Sequence, residues 1–236
     1  MALVTGGTRG IGRAIAEAML DRGAFVFVGG QGQAGVQAAH EALLSGDPDG
    51  RDGRIAGAAA DVGDPDQAAG LVESAASRFG GLDILINNAG VGVFREVADL
   101  TVEDWRRVID TNLSGLFYCT RAALPHLRRR GGGWIISIGS LAGKNYFTGG
   151  AAYCASKAGL IAFSEALMQE VRYDDIRVSY VMPGSVDTEF SHPGRSSGGD
   201  WRLTAADVAQ VVTDLLAHPG RSLPSRVEIR PSKPRK

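Results

Sequence analysis

Short apolar runs separated by helical patterns recur along the whole chain, and this alternation constrains the fold more than any single motif. Strands are expected at Leu3-Val4, Phe25-Val26-Phe27-Val28, 54–58, Ile84-Leu85-Ile86, 134–138, 177–181 and 226–229. Most are apolar throughout rather than alternating polar with apolar, which suits strands covered on both faces of a parallel sheet. Helical patterns fill the intervals at 9–22, 35–44, 65–79, 102–129, 151–173 and 204–216. Such alternation implies right-handed crossovers and an α/β fold, a Rossmann-type doubly wound parallel sheet of about seven strands with helices on both faces.

The 236 residues fit one large domain, expected to span 1–236, and no segment reads as an interdomain linker. Gly46-Asp47-Pro48-Asp49-Gly50 is expected to be a turn. Asp64-Pro65-Asp66 starts a helix, with proline accommodated in the first turn. Residues 191–200 are polar and glycine-rich, the mark of a loop, and 189–203 is the expected substrate lid. The basic, proline-rich end, 230–236, is expected to be a solvated tail.

A glycine-rich turn follows the first strand and opens the first helix: Thr5-Gly6-Gly7-Thr8-Arg9-Gly10-Ile11-Gly12. Glycines let the backbone turn sharply and approach a pyrophosphate, and the helix N-terminus offers unpaired N–H groups. Its place between the first strand and first helix of an α/β chain strengthens the reading as a dinucleotide loop. The second strand is followed by Gly29-Gly30-Gln31-Gly32, without the carboxylate that commonly holds the ribose hydroxyls of NAD. That removes repulsion against a 2′-phosphate, and Arg9 offers attraction. NADP(H) is therefore favoured over NAD(H), with Gln31 able to bond either ribose.

Composition excludes other classes. A net charge of -1 gives no bias toward nucleic acid or acidic membranes. No apolar run reaches membrane-spanning length, and a strand beginning at Leu3 leaves no room for a signal peptide, so the cytoplasm is expected. Cys119 and Cys154 form neither a disulfide framework nor a metal pattern. His40, His126, His192 and His218 have no ligand spacing, and no metal is expected.

Tyr153 and Lys157 stand four residues apart in a helical pattern, so their side chains share a face. A phenol gives up its proton poorly near pH 7, and a neighbouring ammonium favours the phenolate. The pair reads as a proton-transfer device, with Lys157 expected to lower the Tyr153 pKa.

Taken in order, these segments resemble the short-chain dehydrogenase/reductase family, in its compact subgroup, over nearly the whole chain. Thr5-Gly6-x-x-x-Gly10-x-Gly12 matches its coenzyme loop. Asp61-Val62 matches the pair that addresses the adenine, and Asn87-Asn88-Ala89-Gly90 the segment lying along the cofactor. Asn112, Ser140, Tyr153 and Lys157 match its catalytic tetrad, with Ser140 thirteen residues before Tyr153. Pro183-Gly184, Val186 and Thr188 match the loop that shapes the nicotinamide pocket. The C-terminal Val227-Glu228-Ile229-Arg230-Pro231 departs from the glycine-rich closing segment of fatty-acid-type reductases.

The resemblance implies hydride transfer between NAD(P) and a carbonyl/alcohol pair, in a homodimer or homotetramer. Tyr153 is then the general acid or base, Ser140 the partner of the carbonyl oxygen, and Lys157 a ligand of the nicotinamide ribose. Asn112 is expected to hold a water that links Lys157 to solvent. Phe94, Tyr146, Phe147, Phe190 and Trp201 are candidates to line the substrate pocket. The alternative is a non-catalytic NADP-sensing or scaffold protein that keeps the fold.

Overall fold

The computed structural model describes residues 1–188, 190 and 201–234. Among the described residues, seven parallel strands form one sheet in the order β3-β2-β1-β4-β5-β6-β7. They are β1 (Ala2–Val4), β2 (Val26–Gly30), β3 (Ile55–Ala59), β4 (Ile84–Asn87), β5 (Gly133–Ile138), β6 (Ile176–Pro183) and β7 (Arg226–Ile229). The helices are α1 (Gly10–Asp21), α2 (Gln33–Ser45), α3 (Pro48–Arg51), α4 (Pro65–Phe79), α5 (Val102–Ile109), α6 (Gly115–Arg129), α7 (Ala151–Val171) and α8 (Ala205–Leu216).

Alternate strand residues feed two cores. Ala2, Val4, Val26, Val28, Ile86, Ile136 and Ile138 face one way and pack with Ile15 and Met19 of α1, Val36 of α2 and Val212 of α8. Leu3, Phe27, Leu85 and Ile135 face the other way, against Leu71 of α4, Leu127 of α6 and Leu167 of α7. Burial on both faces is why these runs are apolar without alternation. Strand order reverses direction between β1 and β4, and in open α/β sheets the crevice beyond the C-terminal strand ends at such a point receives ligands.

Several boundaries match their sequence signals. Helix α4 starts where expected because the Asp64 carboxylate accepts from the Asp66 and Gln67 amides, at 2.9 and 3.0 Å, with Pro65 in the first turn. It ends at Gly80, whose φ of 75° is the left-handed conformation glycine adopts freely. Helix α8 is opened by a capping box between Thr204 and Asp207.

Other boundaries differ. The turn expected at 46–50 contains the short helix α3, which carries Arg51 into the interior at 4% exposure. Its guanidinium bonds the Leu43 carbonyl at the end of α2 and pairs with Asp21 of α1. A buried charge needs such partners, and the contacts are tertiary, so turn composition gives no sign of them. The helix expected over 102–129 is interrupted by a π-helical turn at Asp110–Ser114, where α5 passes into α6. Strand β2 runs on through Gly29 and Gly30, paired with Ala58 and Ala59 of β3.

Candidate active site

The glycine loop is held by atoms that leave little space. Gly6 and Gly10 have φ of +61° and +54°, conformations that side chains resist. A Cβ on Gly12 would lie 2.3 Å from the Gly6 carbonyl oxygen and 2.4 Å from Asn88 Nδ2. Asn88 explains that crowding: its Nδ2 donates to the carbonyls of Thr5 and Gly6, both at 3.0 Å. Thr5 Oγ1 returns the link by accepting from the amides of Asn88 and Ala89, at 3.0 and 3.1 Å. The loop and the end of β4 thus form one rigid unit. Beyond it α1 begins with no acidic residue in its first turn, leaving its positive dipole end unopposed by a local carboxylate.

At the end of β2, Gln31 donates from Nε2 to Asp61 Oδ2 at 3.2 Å, and Asp61 Oδ1 accepts from the Gly63 amide at 2.9 Å. Asp61 therefore shapes a turn, while Asp64 caps the following helix. The charge missing after β2 is partly restored from β3, because Asp61 reaches Gln31 across the gap.

On the other side of the loop, Lys157 lies buried and its Nζ donates to the Ile138 carbonyl at 2.8 Å. Burial lowers its pKa to about 8. Tyr153 is half-buried, with Lys157 Nζ 5.9 Å from its ring centroid. Burial pushes the phenol pKa up, a hydrogen bond with the Ser140 side chain pulls it down, and Cys154 adds to the rise. The balance is upward. The expected lowering of Tyr153 by Lys157 is thus not what the protein alone displays. Desolvation outweighs the other influences, and the group acting to lower the phenol is Ser140. Ser140 follows β5, and its Oγ also accepts from the Ala142 amide at 3.1 Å.

Asn112 sits in the π-helical turn, 2% exposed and behind the cleft wall. Both amide hydrogens are used: Nδ2 donates to the Val91 carbonyl at 2.9 Å and to Ser156 Oγ at 3.0 Å. Oδ1 accepts from the Val91 amide at 2.7 Å. The side chain thus braces the segment after β4 against α7, through Val91 and Ser156.

These parts surround one cleft of about 1260 Å³ at the C-terminal ends of the strands. A small-molecule site is roughly 300–1,000 Å³, so this cleft has room for two ligands. Gly6, Thr8, Arg9, Gly10, Ile11, Gly12 and Gln31 line it, as do Asp61, Val62, Asn88, Ala89 and Gly90. Ser140, Tyr153, Lys157, Pro183, Gly184, Val186 and Thr188 complete that set. Asn112 is absent from this lining and borders a smaller pocket behind it.

Of the aromatic candidates, Phe94, Phe147, Phe190 and Trp201 line the cleft. Tyr146 does not, and is 71% exposed. The tail is not simply solvated: Arg230, Pro231 and Pro234 also line the cleft. Gly184 donates its amide to the Ile229 carbonyl at 2.8 Å, which draws the end of β7 beside the end of β6. Glu228 receives Lys144 at 2.8 Å and Arg230 at 2.9 Å, and these cations hold its carboxyl near a pKa of about 2. Sequence reasoning missed this contact and also Arg107, which lines the cleft from α5. Neither carries a local motif. The expected lid lies outside the described residues over 191–200, and His192 with it. Among the described residues, no group of three or more His, Cys, Asp or Glu is placed to hold a metal ion.

The description "short chain dehydrogenase" applies to the family model that matches residues 1–197. The 3-oxoacyl-[acyl-carrier-protein] reductase FabG of Escherichia coli is 39% identical over 191 residues, covering 81% of this chain and 75% of that protein. A solved short chain dehydrogenase from Burkholderia cenocepacia, in complex with NADP, superposes with a TM-score of 0.86 at 34% identity, covering 97% of this chain and 95% of that one. An alcohol dehydrogenase from Thermococcus sibiricus complexed with 5-hydroxy-NADP gives a TM-score of 0.87 at 26% identity, over 100% and 97% of the two chains. Fold, cleft and relatives together define an NAD(P)-dependent oxidoreductase acting on carbonyl or CH-OH groups. The chain belongs to the short-chain dehydrogenase/reductase family.

Proposed function

We propose that this single-domain enzyme is an NADP(H)-dependent ketone or aldehyde reductase, reversible as an alcohol dehydrogenase, with Tyr153 as its proton donor. The observation that carries the reading is the continuity of one cleft from Gly12 to Tyr153, with Ser140 and Lys157 in the same lining at its far end. The lining fits a dinucleotide: Gly6, Gly10 and Gly12 present main chain without side chains, and the N-terminus of α1 opens there, where its free amides would meet a diphosphate. Gly6, Thr8, Arg9, Gly10, Ile11 and Gly12 would hold the diphosphate and adjoining ribose. Gln31, Asp61 and Val62 would hold the adenosine. Asn88, Ala89, Gly90, Lys157, Pro183, Gly184, Val186 and Thr188 would hold the nicotinamide half. NADP(H) is favoured by the absence of a carboxylate directly after β2 and by the NADP held in the Burkholderia cenocepacia relative.

The bound nicotinamide supplies or accepts hydride. Tyr153 gives its proton to the carbonyl oxygen in reduction and takes it back in oxidation. Its raised pKa keeps it a protonated acid at neutral pH, which suits the reductive direction. Ser140 donates to the same oxygen as charge develops there. Lys157, at the foot of the cleft, would hold the ribose. Asn112 is a positioning residue that sets the backbone of Val91 and, through Ser156, the start of α7. Ser156 Oγ donates to the Tyr153 carbonyl at 2.8 Å.

The proposed substrate is a small carbonyl compound rather than nucleic acid, in keeping with a net charge of -1, and the proposed location is the cytoplasm. A homodimer or homotetramer is supported by Trp105 and Phe117, 42% and 43% exposed on α5 and α6. The test is a titration with NADPH and NADH, followed by cofactor oxidation against a panel of ketones, aldehydes and diketones. NADPH should bind more tightly and at least one carbonyl should be reduced. Protection from thermal unfolding by NADPH with no turnover on any panel member would instead favour a sensor.

A further inference from the structure

We propose that the carbonyl end of the cleft takes a ketone with a flat aromatic or fused-ring body, clasped by Phe94, Phe147 and Phe190 beside Tyr153. This deepens the reductase reading and rests on Tyr153 meeting the carbonyl oxygen. The Phe94 ring stands edge-on to Tyr153, with centroids 5.5 Å apart and planes at 68°. Phe190 lies 5.8 Å from Tyr153 on a tilted plane, and Phe147 continues the row 5.9 Å from Phe94. These are the separations at which aromatic rings attract one another beyond simple burial.

The row is seated by glycines. A Cβ on Gly92 would come within 2.9 Å of Phe94 Cζ and 3.0 Å of Phe190 Cζ. One on Gly150 would lie 2.6 Å from Phe147 Cε2. Two separate segments thus lack a side chain just where a ring comes to rest. Yet the rings remain 49%, 48% and 41% exposed for Phe94, Phe147 and Phe190. Apolar faces held in place but left uncovered gain most from a ligand that is itself flat and apolar. They offer no hydrogen-bond partner to the hydroxyls of a sugar, whose burial here would be costly. A flexible acyl chain would gain area but no ring-to-ring geometry.

The inference is tested with NADPH as reductant and two substrates, acetylnaphthalene and the N-acetylcysteamine thioester of acetoacetate. In the wild type, kcat/KM for the aryl ketone should exceed that for the thioester by about tenfold or more. Phe94→Ala and Phe147→Ala should each lower that ratio by roughly threefold to tenfold, through the KM of the aryl ketone. A wild-type ratio at or below unity overturns the inference while leaving the reductase reading intact. So does an equal loss on both substrates in both variants, which would mean the rings serve only to position Tyr153. Binding of NADPH without turnover of either substrate contradicts the reductase reading itself, and the inference with it.

Discussion

At the nucleotide end of the cleft the wall is mostly backbone. Gly6, Gly10 and Gly12 bring the main chain close, and Thr5 and Asn88 tie the loop to the end of β4 within consecutive hydrogen bonds of 3.0–3.1 Å. At the carbonyl end the wall is side chains. Phe94 follows β4, Phe147 precedes α7, Phe190 lies beyond β6, and Pro231 follows β7. The first end tolerates little substitution, because a Cβ at Gly6 or Gly12 would press on main chain and on Asn88. The second is assembled from segments whose side chains can change while the sheet stays. Cofactor use should therefore be harder to alter by mutation than substrate choice.

Variants can break that comparison at either end. Among variants that leave the proton donor in place, the largest effect is expected for Lys157→Met, since Lys157 stands where the two ends meet. Turnover should drop by about 10²-fold or more, and NADPH affinity should drop with it. Steady-state kinetics alongside a binding titration check this, and unchanged affinity would restrict Lys157 to the carbonyl end. The same variant has a stability signature. Burial holds Lys157 near a pKa of 8 in the folded chain, against an ordinary value of 10.5. Its charged form is disfavoured by folding, a cost fully present below pH 8 and lost as pH rises to about 10.5. Wild type should gain up to about 3 kcal/mol relative to Lys157→Met across that interval. Urea unfolding of both proteins at stepped pH measures it, and parallel pH profiles would contradict the buried ammonium.

At the nucleotide end, Gly12→Ala forces a Cβ against the Gly6 carbonyl and Asn88. It should cost about 1–3 kcal/mol of stability and weaken NADPH binding, without altering the ratio of rates between two ketones. A changed ketone preference would show that the ends are not separable. The smallest effect is expected from Asn112→Ala, which leaves the amide and carbonyl of Val91 unpaired. About 1–2 kcal/mol of stability should be lost, together with a modest fall in turnover. A loss of turnover as large as that of Lys157→Met, at full stability, would return Asn112 to the proton path.

The same division governs what the sequence disclosed. Helix α4 was legible to the residue because Asp64, Pro65 and Gly80 act locally. The glycine loop was legible because the backbone conformation it needs is written in residue type. Tyr153 and Lys157 follow from helical spacing, and Ser140 from the family motif. The π-helical turn at Asn112 has no such local signal, since it reflects the fit of Asn112 onto Val91 and Ser156. Buried Arg51, one residue past the turn expected at 46–50, carries no local signal because its partners, Asp21 and Leu43, are supplied by packing. The aromatic row was visible only as a set of unplaced rings. Its members are separated by long stretches of chain, and their meeting depends on Gly92 and Gly150, which carry no motif. The upward shift of Tyr153 was likewise hidden, because a pair of residues on one helix face says nothing of what covers them.

The most direct test of the Tyr153 assignment is Tyr153→Phe, assayed for NADPH binding and ketone reduction in the same preparation. Removing the hydroxyl while keeping the ring should leave the thermal stability and NADPH affinity close to wild type. Turnover should fall by about 10²–10⁴-fold. Wild-type turnover in a folded, NADPH-binding Tyr153→Phe protein would contradict the assignment of the proton to Tyr153.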